Sequence, residues 1–231
     1  MNISIIIPCY NEEKYIYRTL ENLTHQLGIS GAEIIIADGN STDNTLEEVY
    51  RATEDFPFLN IRVTKGGKVS YGRNQGAKIA SNDYLLFLDA DTVLMHNRIL
   101  WDSYNTRLNY DIISCKHVST EDRLISKILW ITFNWIRTVM PETFCTGCYF
   151  FISKKKFFQL GMFDETVTNS EDYLLSRKVP KSRFLVLDWF VGQDDRRFNK
   201  IGYWGFLKIV VLNYIYRNNI NYFRKDVGYW G

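Results

Sequence analysis

The chain has 231 residues, about one large domain, and is 46% apolar and 23% charged, a balance that excludes wholesale disorder. Lys and Arg number 28 against 26 Asp and Glu; the resulting charge of +2 leaves no electrostatic footprint for nucleic acid. No stretch reaches the ~18 apolar residues of a spanning helix. No basic leader with a small-residue cleavage site precedes the first apolar run, so a cytoplasmic, reducing setting is expected.

The first half reads as alternating strands and helices. Ile3 to Ile7 is a β-branched run closed by Pro8, as in a strand buried on both faces. Tyr15, Ile16, Thr19, Leu20, Leu23 and Leu27 follow at helical spacing. Glu33 to Ala37 is a second buried strand, Ser41 to Asp43 offers a helix N-cap, and Leu46, Val49 and Tyr50 continue helically. Leu59 to Thr64 predicts a third strand, Ser70 to Ala80 a helix, and Tyr84 to Leu88 a fourth strand. Such alternation predicts a parallel sheet covered by helices, with ligands beyond the carboxyl ends of its strands.

The strand exits are acidic. Strand one leads into Glu12, strand two into Asp38 and Asp43, and strand four into Asp89 and Asp91. Five carboxylates at one sheet edge repel one another unless a cation or hydrogen-bond donors are present. Asp89-Ala90-Asp91 can present two carboxylates to one hard cation, Mg²⁺ or Mn²⁺, or can cap the next helix. Asp38 can accept an imide N–H from a nucleobase, or belong to a polar turn with Ser41 and Asp43. Arg73 can pair with base or phosphate oxygens, or open a solvated helix. Glu171 and Asp172 start a helix, where acids complement the helix dipole and where a general base for a hydroxyl can also stand.

Cys9, Cys115, Cys145 and Cys148 read as free thiols. Cys145 and Cys148 have the spacing of a metal or redox pair but lack a second Cys or His pair, so a buried strand of small residues around Gly147 is expected. The sequons at Asn22 and Asn40 carry no weight in a reducing compartment.

In order, Ile5-Ile6-Ile7-Pro8-Cys9-Tyr10-Asn11-Glu12-Glu13, Asp38-Gly39-Asn40-Ser41-Thr42-Asp43-Asn44-Thr45, Gly72-Arg73-Asn74-Gln75-Gly76, Asp89-Ala90-Asp91, Gly161-Met162-Phe163-Asp164-Glu165 and Glu171-Asp172 resemble the family 2 glycosyltransferases of GT-A fold. The resemblance runs from residue 3 to about 200. It implies an α/β fold with a mostly parallel central sheet between helical layers. Residues 1–200 would form the catalytic domain, with a nucleotide-binding half at 1–92 and an acceptor-binding half at 93–200. Residues 201–231 would form a helical, aromatic tail.

The resemblance also implies transfer of a sugar, with inversion, from a nucleotide-sugar (a UDP-sugar above all) to a hydroxyl of a glycan or lipid-linked acceptor, assisted by Mn²⁺ or Mg²⁺. On it, Pro8, Tyr10 and Glu12 match the first nucleotide-contacting loop, Asp38 the acid that binds the base, and Arg73 a basic residue near the nucleotide. Asp91 matches the principal metal-binding acid, with Asp89 beside ribose and metal, and Asp172 matches the catalytic base. Thr146, Gly147 and Cys148 resemble the strand lining the acceptor side.

Two departures stand out. Gly161-Met162 replaces a frequent Gly-Gly, and Gln193-Asp194-Asp195-Arg196-Arg197 lacks the Trp of the processive Gln-x-x-Arg-Trp pattern, so single-sugar transfer is expected. Arg196 and Arg197 are candidates to cover the diphosphate, or a solvated charge cluster. A non-catalytic glycosyltransferase-like binding protein is the alternative, and intact Asp91 and Asp172 count against it. A sugar-nucleotide pyrophosphorylase would need a glycine-rich basic loop where Pro8 to Glu12 stands.

Leu124 to Arg137 and Tyr203 to Leu212 carry aromatic and aliphatic side chains with few cations. That composition fits helices lying in a bilayer interface. It fits equally helices that cover the sheet or join two copies of the chain.

Overall fold

The structure, a computed structural model, describes residues 1–225 apart from the side chain of Arg197; residues 226–231, the end of the expected tail, lie outside it. The chain runs β1 (Ile3–Cys9), α1 (Ile16–Thr24), β2 (Glu33–Asp38), α2 (Thr45–Asp55), β3 (Asn60–Lys65), α3 (Val69–Ile79), β4 (Tyr84–Leu88), β5 (Val93–Leu94) and α4 (Ile99–Thr106). It continues β6 (Ile112–Ser119), α5 (Leu124–Val139), β7 (Tyr149–Ser153), α6 (Lys154–Gln159), α7 (Glu171–Ser176), β8 (Phe184–Gln193), α8 (Arg196–Ile215) and α9 (Ile220–Phe223).

All eight strands form one sheet in the order β3-β2-β1-β4-β7-β6-β8-β5. The first four are parallel, as the alternation predicts. Beyond β4 the sheet is mixed: β7 is antiparallel to both β4 and β6, β8 is parallel to β6, and β5 is antiparallel to β8.

Strand periodicity explains the layering. Ile3, Ile5, Ile7, Ile34, Ile36, Leu86 and Leu88 face a core with Ile16, Leu20 and Leu23 of α1 and Val49 of α2. Ile6, Ile35, Leu85 and Phe87 face the opposite core, with Ala77 of α3, Phe157 of α6 and Leu175 of α7. Both faces are covered, which is why these strands read as unbroken apolar runs.

Several local expectations are corrected. Pro8 does not close β1; it pairs with Ala37 at the strand's end, past Ile6, the last residue paired with β4, where an imide without N–H is tolerated. The N-cap of α2 is Asn44, while Asp43 Oδ1 accepts the N–H of Thr45 at 3.0 Å. Cys145 to Cys148 form a buried loop and turn ahead of β7 rather than a strand.

In α5, Leu129, Trp130 and Phe133 pack with Phe198 and Phe206 of α8. The other side of α5 leaves Leu124, Ile128, Ile131, Trp135 and Val139 exposed. Gly202 interrupts α8 at φ 72°, and Trp204 just beyond it is exposed. Among the described residues no helix is long and apolar enough to cross a membrane.

Candidate functional site

Because β2, β1 and β4 are parallel neighbours, their exit loops meet at one edge. The first two are stitched together: Asn11 N–H donates to Ser41 Oγ, Thr42 N–H to Asn11 Oδ1, and Glu12 N–H to Thr45 Oγ1 at 2.7 Å. Asn11 and Asn40 sit at φ 56° and 65°, a region Asn tolerates better than most residues. Asp38 serves its own loop, accepting from Asn40 N–H and from the Ser41 N–H and hydroxyl, the last at 2.6 Å. Pro8 is half-buried beside it and Tyr10 stands exposed.

The two acids of the Asp89-Ala90-Asp91 exit meet different cations. Asp91 Oδ2 lies 2.9 Å from Arg196 Nη2, and the same guanidinium makes two 2.8 Å hydrogen bonds to Glu12. Burial pushes the Glu12 carboxyl up and Arg196 opposes it. Asp89 instead accepts from Arg73 Nη2 at 2.6 Å.

Arg73 is not a solvated helix residue. It is 1% exposed, and its Nη1 donates to Glu171, one of the two acids that the sequence places at a helix start.

Asp172, at the start of α7, is held by two backbone donors: Gly147 N–H to Oδ2 at 2.6 Å and Tyr173 N–H to Oδ1 at 2.7 Å. Burial pushes its carboxyl up, and Arg73 and those N–H groups pull it back. Glu171 is pushed up to about 7, by burial first and then by the charge of Asp172. Ser170, just before them, has φ 58°, a strained position of the kind that collects at functional sites.

These groups border a cavity that opens to solvent. Its polar side includes Arg73, Asp89, Glu171 and Asp172. Its apolar side is Trp130 and Phe133 of α5, Phe144, and Phe206, Ile209 and Val210 of α8. His117 at its edge stacks on Trp130 at 5.0 Å, with Nε2 2.9 Å from Thr146 Oγ1 and Nδ1 3.4 Å from Gln193 Oε1. Thr146, Gly147 and Cys148 line the same cavity. Burial pushes the Cys145 thiol up to about 12 and Cys148 upward as well, so both stay protonated, unlike metal or redox thiols.

His117 and Asn213 enter this cavity without any sequence signal, because their neighbours there are distant in the chain; Gln193 and Trp130 come from the Gln193 to Arg197 stretch and the aromatic Leu124 to Arg137 helix. Arg196, expected either over the diphosphate or in a solvated charge cluster, lies between Glu12 and Asp91; the Arg197 side chain lies outside the described residues.

The described residues form no cluster of three metal-ligating side chains. A shared cation does not need three. Mg²⁺ is ordinarily held by one or two carboxylates together with substrate phosphates. Asp91 offers hard carboxylate oxygen of the type such an ion takes, and in this structure Oδ2 lies against Arg196.

The sequence model of "Glycosyl transferase family 2" matches residues 4–160. An uncharacterized glycosyltransferase, YfnE of Bacillus subtilis (strain 168), is 37% identical over 91 residues, 39% of this chain and 23% of that protein. Poly-beta-1,6-N-acetyl-D-glucosamine synthase of Staphylococcus aureus (strain COL) is 40% identical over 94 residues, 40% of this chain and 22% of that protein. The matched stretches thus span less than a quarter of either relative.

Among solved structures, mannosyltransferase PcManGT from Pyrobaculum calidifontis, in complex with GDP-Man and Mn²⁺, superposes with TM-score 0.66 at 18% identity, covering 83% of this chain and 56% of that one. TarS 1–349 of S. aureus in complex with UDP-GlcNAc gives 0.63 at 22% identity, covering 84% and 58%. The architecture is the GT-A fold. With the family model spanning more than half of its length, the chain belongs to glycosyl transferase family 2.

Proposed function

We propose that this protein is an inverting glycosyltransferase that moves a single sugar from a nucleotide-sugar, a UDP-sugar first among candidates, to an acceptor hydroxyl, with Asp172 as general base. The observation that carries the reading is the cavity with a strand-exit acid, Asp89, and a doubly held carboxylate, Asp172, on its polar side. Neighbours of the same fold bind GDP-Man and UDP-GlcNAc, which supports a nucleoside diphosphate donor.

The nucleotide lies over the exits of β1, β2 and β4, against Pro8, Tyr10, Glu12 and Asp38, and residues 1–92 form this donor half. Residues 93–200 form the acceptor half, with the helical segment after 200 closing the apolar wall. Fixing the donor there supplies much of the orientational part of the barrier. Asp91 with Asp89 would hold Mn²⁺ or Mg²⁺, which when bound neutralises charge on the leaving diphosphate. Arg196 lies beside Asp91 and turns its guanidinium to the diphosphate; Arg197 follows it in sequence.

Asp172 accepts the acceptor's proton. Each of its oxygens takes one backbone N–H and keeps a second lone pair for that proton. Attack comes from the face opposite the leaving group, so the anomeric centre inverts, as when two carboxylates serve opposite faces of a sugar. A non-catalytic binding role has no use for a base so held.

The acceptor is a hydroxyl compound with an apolar portion, a lipid-linked glycan, because the cavity that Asp172 lines is also lined by aromatic and aliphatic side chains. The exposed apolar stripe of α5 and Trp204 of α8 then rest in a bilayer interface. Flotation with anionic liposomes tests this. Protein that stays at the bottom of the gradient and runs as a dimer assigns the stripe to a second copy of the chain.

The function itself is tested by a thermal-shift panel of UDP, GDP and dTDP with and without Mn²⁺, followed by turnover of the matching nucleotide-sugars. A stabilising nucleotide whose sugar conjugates turn over is expected. No stabilisation by any nucleotide sinks the donor assignment. Equal affinity with metal, with chelator and in Asp91→Asn removes the ion.

A further inference from the structure

The side chain of Arg73 reaches acids from both sides of the cleft. Nη2 donates to Asp89, just past β4 on the donor side, and Nη1 to Glu171, beside the base on α7. Its guanidinium lies 5.5 Å from the centre of the Phe163 ring, whose backbone is clamped by Asn74. Nε is buried without a hydrogen-bond partner, so the two acids dictate where the side chain goes.

Gly147 adds a second, independent constraint. A Cβ built there would fall on the guanidinium, closest to Nη2, with Cζ and Nη1 next. The same glycine's N–H holds Asp172 Oδ2 at 2.6 Å. One residue therefore lies against the arginine and carries the base's hydrogen-bond donor.

We propose that Arg73 is a positioning residue for the transfer: its guanidinium ties Asp89 of the donor side to Glu171 and, packed on Gly147, fixes the place of the Asp172 carboxylate. The proposal rests on Asp172 being the base, and it gives Arg73 a different task from the nucleotide contact that the family resemblance implies. Burial raises Asp172 and Glu171, and the charge of Arg73 works against both shifts, in keeping with this arrangement. A lysine cannot replace it, because a compact ammonium does not present two parallel donors to two separated carboxylates. A misplacement of about 1 Å at a reacting group can cost on the order of 10²-fold in rate.

The test separates positioning from nucleotide binding. UDP affinity with Mn²⁺ is measured by calorimetry, and kcat by UDP release from the nucleotide-sugar the panel selects. Wild type, Arg73→Lys, Gly147→Ala, the double variant and Asp172→Asn are compared. Circular dichroism and urea unfolding establish that each variant is folded, independently of UDP binding.

The expected result is a kcat loss on the order of 10²-fold in Arg73→Lys with UDP affinity unchanged. Gly147→Ala keeps every charge and should show the same signature. In the double variant the losses should not multiply, because the glycine is needed only where the guanidinium sits. Arg73→Lys with wild-type kcat overturns the proposal. So does a fall in UDP affinity matching the lost rate, which makes Arg73 a nucleotide contact, and so do losses that multiply. Normal turnover in Asp172→Asn overturns the base assignment itself, an outcome read independently of the arginine variants.

Discussion

On the donor side of the cleft, Glu12, Asp38, Asp89 and Asp91 stand at or just past the ends of three neighbouring parallel strands, in short loops. On the acceptor side, the cavity wall is assembled from α5, the turn before β7, α7, the end of β8 and α8. The first arrangement is local: a buried strand fixes where its exit loop lies, and the loop can change chemistry without disturbing the core. The second is an aromatic cluster in which shape and stability are the same contacts. Substitutions on the donor side should therefore alter function alone, whereas those in the acceptor wall should alter both.

Asp172 belongs to neither pattern, being held by the backbone of its own helix and of Gly147, and it should give the largest effect. Asp172→Asn is expected to lower kcat by ~10²–10⁴-fold, the range for a lost general base, with UDP affinity retained. Near-normal turnover would move the base elsewhere, with Asp164 or Glu165 as the next residues to substitute.

The acceptor wall comes next. Trp130 stacks on His117 and touches Phe133, Phe198 and Phe206. Trp130→Ala should cost about 3–5 kcal/mol of stability in urea unfolding, as large-to-small core changes of this kind do. Tyr10→Ala, at an exposed donor-loop position, should cost under about 0.5 kcal/mol. Comparable losses at the two sites would erase the contrast between them.

The pH dependence of kcat is a smaller effect. A base works when ionised, and burial holds the Asp172 carboxyl above its ordinary value, with Glu171 beside it up to about 7. Activity should be full above the raised value and fall about tenfold per unit as pH drops through it. The acid limb should lie clearly above the ~4 of an exposed carboxyl. A limb at that ordinary value would mean the site is open to water in the working state.

The smallest effect concerns Met162, at φ 61° after Gly161 at φ 89°. A non-glycine residue in this region costs of order 1 kcal/mol or more. Met162→Gly releases the strain but adds chain entropy, so its stability should stay within about 1 kcal/mol of wild type. Met162→Val should be clearly less stable, because β-branching makes this backbone region worse. Equal stabilities would show that φ at this position does not matter.

The donor side was legible because its signals are contiguous. An apolar run followed by Asp89-Ala90-Asp91 contains both the strand and its acids, and Ile3 to Pro8 followed by Glu12 does the same. The antiparallel insertion of β7 was not legible: Tyr149 to Ser153 has the same buried composition as a parallel strand, and direction is set by pairing with Leu88 to Tyr84. Arg73 was read as solvated or ligand-facing because a lone arginine at a helix start resembles either. Its burial depends on Glu171, 98 residues away. His117 carried no signal, since its 3.4 Å contact with Gln193 spans 76 residues.

The short strand β5 carries one more consequence, for the order in which the molecule can form. Val93 and Leu94 follow directly on the donor acids, yet their partners are Gly192 and Val191, and β6 also waits for β8. Contacts of such long sequence separation close late, after their loop entropy has been paid. β1, β2, β3 and β4 pair through short crossovers and can assemble among themselves. The nucleotide platform should thus exist as a nascent structure before the acceptor wall does. Until β8 docks, the edges of β6 and β5 are open to wrong partners, and aggregation during refolding should be most acute in that interval.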